Sequence, residues 1–256
     1  MSLAEIREVE ASAEVAATYA ALRAASGVPQ VNLIWRHAAA LPGVLDWLWL
    51  QARPALDSGA AAGARDRIAD AVALPAIARS AAPPEAVALV ETYNRGNITN
   101  LALLTAVRLR TEGMGPGAPA APAPIGAPLP EPPPLPCIGT LSPAATATVQ
   151  DLAARHALSD ATVIPSLYLH LTLWPDLLAA LPALLPDAGT LRAGRDAAVA
   201  AAKAEAPGLI AVLGPAPAAP PGLGEFLATL RLFTREVIPG MIPVGLGLRR
   251  AFAGTI

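Results

Sequence analysis

An all-α fold, built as a tandem duplication of one helical unit in a pseudo-twofold arrangement, is predicted by three features of this 256-residue chain. Its hydrophobic content is 54% and rests mainly on alanine and leucine, with aromatics at 4%; these residues favour helix over strand. No stretch shows sustained apolar–polar alternation, so a sheet is not expected. Finally, two halves flanking a proline-rich segment carry the same markers in the same order.

The segment 113–139 reads GMGPGAPAAPAPIGAPLPEPPPLPCIG. Proline at this density cannot continue a helix and favours an extended chain. It divides the sequence into a first repeat (1–112), a linker (113–139) and a second repeat (140–256). An offset of 133 places Trp35, His37 and Pro42 on Tyr168, His170 and Pro175. An offset of 130 places Gly59, Arg65 and Asp66 on Gly189, Arg195 and Asp196. An offset of 140 places Glu85, Tyr93, Arg95, Ile98 and Arg110 on Glu225, Phe233, Arg235, Ile238 and Arg250. Small changes in offset with conserved order are what duplication followed by loop insertions produces.

The elements follow from local signals. Ser2 and Glu5 form a capping box for a first helix that stops at Gly27. Ser142-Pro143 is an N-cap with proline at the first helical position. The segments Val31–Arg53 and Val163–Leu185 are helical but contain Pro42 and Pro175, each of which should kink or split its helix. Helices follow near Ala60–Ala73 and Leu191–Ala204. The halves close with Pro84–Arg110 and Leu223–Phe252, the first interrupted near Gly96-Asn97 and the second broken around Pro239-Gly240. In this arrangement a ligand site would form where equivalent segments of the two repeats face each other.

Several functions are disfavoured. A net charge of −2 without like-charge runs gives no nucleic-acid footprint. The longest apolar stretches, such as Leu171–Pro186, are interrupted by proline and aspartate and fall short of the ~18–20 residues of a membrane span. The charged start lacks a signal-peptide core, and the single Cys137 excludes an internal disulfide, so a cytoplasmic location is expected. There is no phosphate loop, Cys-x-x-Cys pair or zinc-binding helix, so neither a cofactor nor a metal is expected. A homodimer stays open.

Each candidate residue has a structural alternative. His37 and His170, equivalent in the repeats, would approach each other as a metal pair or be separately hydrogen-bonded packing residues; the second is favoured. Ser166 and His170 share a helix face, with Asp176 nearby, but a hydrolase triad needs a nucleophile on a sharp turn. Ser166 reads better as an N-cap. Arg95 and Arg235 could grip a carboxylate or tie helix ends. Trp35 and Tyr168 could wall a pocket or fill the core. The proline-rich segment lacks the basic residues of a recognition motif and reads as a passive linker.

Ser166-Leu167-Tyr168 followed by Trp174-Pro175, Tyr93-x-x-Gly96-Asn97, and the closing Ile238-Pro-Gly-Met-Ile-Pro together resemble motifs of the group I 2-haloacid dehalogenases (the DehI family). That resemblance implies an all-α pseudo-dimer with its site between the repeats. It also implies direct hydrolysis of 2-haloalkanoic acids: an aspartate deprotonates water, which displaces halide with inversion. The family's water-holding asparagine falls on Asn97, and its pocket on Trp35, Asn97, Ser166, Leu167, Tyr168 and Ile238.

The chain departs from the pattern where the chemistry is done. Leu167 occupies the aspartate position, and its repeat mate is Ile34; neither accepts a proton. Loss of a general base removes ~10²–10⁴-fold. Two functions are therefore expected: a dehalogenase-like hydrolase with doubtful native activity, or a non-catalytic protein binding a small carboxylic acid or hydrophobic ligand between the repeats.

Overall fold

The structure, a computed structural model, describes residues 3–156 and 164–253. Among them there are helices but no strand. The chain runs α1 (Ala13–Ser26), α2 (Leu33–Ala40), α3 (Val44–Asp57), α4 (Ala60–Ala71) and α5 (Pro84–Thr111). The proline-rich segment then leads to α6 (Pro143–Ala154), α7 (Ser166–Leu171), α8 (Pro175–Leu184), α9 (Ala188–Ile210), α10 (Leu223–Leu232) and α11 (Ile238–Phe252). A π-helical turn, Phe233–Val237, joins α10 to α11.

The proline and glycine signals set most boundaries. Gly27 ends α1 at φ 64°, a conformation that costs glycine little. Pro42 and Gly43 separate α2 from α3, and Pro175 starts α8 after the Thr172–Trp174 break. Ser142 caps α6 by accepting from the Ala145 N–H, with Pro143 at the first position.

Three expectations are corrected. The first helix is capped not by Ser2, which lies outside the described residues, but by Ser12. Glu5 caps no helix and pairs with Arg36 at 2.9 Å. Helix α5 passes through Gly96-Asn97 without interruption, because burial of its other residues outweighs the roughly 1 kcal/mol helix cost of glycine. The expected break at Pro239-Gly240 is instead the π turn Phe233–Val237, which ends two residues before Pro239. Pro239 then sits in the first turn of α11, where its missing N–H does no harm.

Two hydrophobic clusters form. The larger joins α1–α4 and the C-terminal part of α5 to α9, α10 and the start of α11, around Trp35, Leu48, Leu104, Ala202 and Phe226. The second joins Ala86, Leu89 and Val90 of α5 to α6, α7, α8 and the rest of α11. Helix α5 packs most extensively on α9 and α11. Small residues permit close approach: a Cβ at Gly194 would press on Pro243, and one at Gly245 would overlap the Asn94 side chain.

The proline-rich segment docks closely on this framework. Gly117 and Ala120 donate backbone N–H groups to Pro207 and Gly208 carbonyls in α9, and Ala123 donates to Gly59 O. Arg65 and Arg67 of α4 reach the Ile125 and Ala121 carbonyls, and Arg95 reaches Ala127 O at 2.7 Å. A Cβ at Gly63 would overlap the Ala121 carbonyl oxygen. Gly63→Ala is therefore expected to destabilise by about 1–3 kcal/mol through overpacking, lowering Tm by about 2–4 °C per kcal/mol. Gly224→Ala, whose Cβ meets open space in α10, should leave Tm level or raise it. Calorimetry of the two variants checks this.

Candidate functional site

A cavity of about 310 Å³ lies between α2, the middle of α5, α7 and the π turn. Trp35, Asn97, Ser166, Leu167 and Ile238 line it; Tyr168 does not. Tyr168 is fully buried behind the wall, its phenol hydrogen-bonded to His156 at 2.7 Å. Ile34, which the sequence offset of 133 sets against Leu167, also lies in the core rather than in the cavity wall.

The polar groups are placed by short networks. Asn32 caps α2 by accepting the Ile34 N–H on Oδ1. That orients its Nδ2 to donate to Asn97 Oδ1 at 3.5 Å, leaving the Asn97 amide donors for the cavity. Asn100, one turn on, accepts the Trp35 indole N–H at 2.7 Å and donates to Gly96 O. The indole is thus fixed as a wall.

Two tyrosine–histidine pairs border the site. His170 Nε2 lies 3.0 Å from the Pro133 carbonyl, to which it can only donate, so Nδ1 accepts from the Tyr93 hydroxyl at 2.7 Å. Burial pushes the Tyr93 phenol up, and a hydrogen bond with Ser166 partly offsets it. Ser166 does not cap α7; Pro165 occupies that place and no side chain caps the helix. Burial lowers His170 and pushes His156 down to about 4, so both imidazoles are neutral near pH 7.

Among the described lining residues the carboxylate is Glu8 and the permanent cation is Arg36. Both Glu8 oxygens are engaged: Oε1 accepts the Val31 N–H at 3.1 Å and Oε2 pairs with Arg23. Asp176 is exposed in the first turn of α8 and orients no histidine, so no triad forms. His37 bonds the Ala4 carbonyl at 2.8 Å and does not meet His170. Among the described residues no metal-binding group of three or more side chains occurs, and no helix is long and apolar enough to cross a membrane.

The overall arrangement has counterparts among solved structures. A D-2-haloacid dehalogenase mutant matches with a TM-score of 0.76 at 17% identity, over 98% of this chain and 96% of that one. A second mutant, in complex with D-2-CPA, matches at 0.73 and 18% identity, over 100% of this chain and 96% of that one. A D-2-haloacid dehalogenase in complex with L-LA matches at 0.73 and 17%, over 100% and 97%. No protein-family model and no curated protein sequence matches. The chain has a haloacid dehalogenase-like fold.

Within that fold, Arg36 was missed by sequence reasoning, which nominated Arg95 and Arg235 as the cations. Arg95 is committed to the Gly27 and Ala127 carbonyls, and Arg235 is exposed; neither lines the cavity. The available signal was the position of Arg36 between Trp35 and His37 on a short apolar helix.

The buried His156 gives stability a pH dependence. Unfolded imidazole takes up a proton near pH 6.5, whereas His156 resists until about 4. Between these values unfolding binds a proton, so stability falls as pH drops through this window and levels off below it. On the order of 3 kcal/mol is expected to be lost, with His170 adding in the same direction. Urea unfolding from pH 7 to pH 4 should show this slope, reduced in His156→Gln.

Proposed function

We propose that this chain is a dehalogenase-like protein whose inter-repeat cavity binds a small carboxylic acid, with carbon–halogen hydrolysis absent or slow. The observation that carries this reading is the cavity wall itself. Leu167 is 1% exposed and lines the cavity from α7, and no uncommitted carboxylate faces Asn97 among the described lining residues. A water held by Asn97 would have, among the described lining residues, no free carboxylate to take its proton.

The site's composition supports the duplication as well. Segments matched in sequence, α2 with α7 and the middle of α5 with the π turn, all contribute lining residues: Trp35, Leu167, Tyr93 and Phe233. Two copies facing each other across a pseudo-twofold axis would produce this pattern.

The test is halide release from D- and L-2-chloropropionate. The unmutated protein should release no more than buffer, and Leu167→Asp, checked for helicity, should gain release by roughly 10²–10⁴-fold over its parent's residual rate. Robust release by the parent would overturn the reading; its loss in Glu8→Gln would then assign Glu8 as the base.

A further inference from the structure

The cavity is larger than a short haloacid requires. At about 30 Å³ for each water-sized group, about 310 Å³ takes roughly ten such groups, and a three-carbon haloacid fills roughly six. The surplus wall is apolar: Leu56, Leu103, Leu167, Phe233, Ile238 and Met241.

The polar end is concentrated around Arg36. Arg36 stands one turn beyond Asn32 on α2, a spacing that puts both on one helix face, and Asn32 holds Asn97. Arg36 and Tyr93 line the same cavity. Glu5 pairs with Arg36 through Nε, at 2.9 Å. Neither Nη group has a hydrogen-bond partner among the described residues, and neither is sealed from solvent. A guanidinium with both Nη groups free presents a fork suited to a carboxylate. The Glu8 charge at the same cavity is offset by Arg23 and the Val31 N–H.

We infer that Arg36, with Asn97, receives the carboxylate of an acid whose apolar chain, about six to eight carbons in all, lies along the Leu56–Leu103–Phe233–Met241 wall. This rests on the small-acid reading above and extends it from short haloacids to medium-chain or similarly sized acids.

Calorimetric titration of the full chain with propionate, hexanoate, octanoate, dodecanoate and octanamide tests it. Affinity should rise roughly fourfold per methylene from propionate to about octanoate, then stop rising. Arg36→Gln should weaken octanoate at least tenfold while leaving octanamide unchanged, and Arg36→Lys should restore part of the loss. Equal affinity for propionate and octanoate, or equal weakening of acid and amide by Arg36→Gln, would overturn the inference. Failure of every acid to bind while octanamide binds would instead sink the small-acid reading beneath it.

Discussion

Helix α5 runs through both hydrophobic clusters, and the placement of the cavity depends on it. Its first turns enter the cluster with α6, α7 and α8, while Ile98, Leu101–Leu104, Ala106 and Val107 pack into the other. Between these stretches, Tyr93, Gly96, Asn97 and Asn100 face the cavity. Rotation or shift of α5 would disturb both clusters together, so the site's polar residues are held by packing on either side of them. Gly96 contributes by absence: a Cβ there would reach only Val28 Cγ1, at 3.5 Å, and the cavity keeps the space a larger side chain would fill.

The walls of the cavity differ in chemical character. His156 and His170 are kept neutral by burial, and each is hydrogen-bonded to a tyrosine hydroxyl, His156 to Tyr168 and His170 to Tyr93. Two imidazoles that would be partly charged in water thus add no positive field near neutrality. The remaining charges are paired: Arg36 with Glu5 and Glu8 with Arg23. Such a site can orient an anion, and among the described lining residues no uncommitted carboxylate stands ready to take a proton from water.

Much of the helical layout was legible because proline and glycine act locally. Pro42 and Pro175 split their segments for a backbone reason that tertiary packing does not override. The start of α1 and the continuity of α5 were not legible in that way. Ser2-x-x-Glu5 has the form of a capping box, yet Glu5 is drawn to Arg36, a partner remote in sequence. Gly96-Asn97 looks like a break until burial on both sides is known. The site was partly legible: Trp35, Asn97, Ser166, Leu167 and Ile238 meet at one cavity, whereas Tyr168 serves it indirectly through His156. Arg36 carried no repeat match of like chemistry in the sequence, because the offset that pairs Trp35 with Tyr168 pairs Arg36 with Leu169.

The proline-rich segment is more than a tether, and its composition explains how it is held. Proline removes backbone donors but leaves every carbonyl, so an extended run of this kind is rich in acceptors. The framework supplies donors to match: Arg65, Arg67 and Arg95 along its course, and His170 at Pro133. The last of these reaches the site. By accepting from His170 Nε2, the Pro133 carbonyl fixes the tautomer whose Nδ1 accepts the Tyr93 hydrogen bond, and two residues later Leu135 adds its side chain to the cavity wall while remaining 49% exposed. A segment that reads as a passive connection therefore sets the protonation pattern of a site residue and forms part of the site's outer wall.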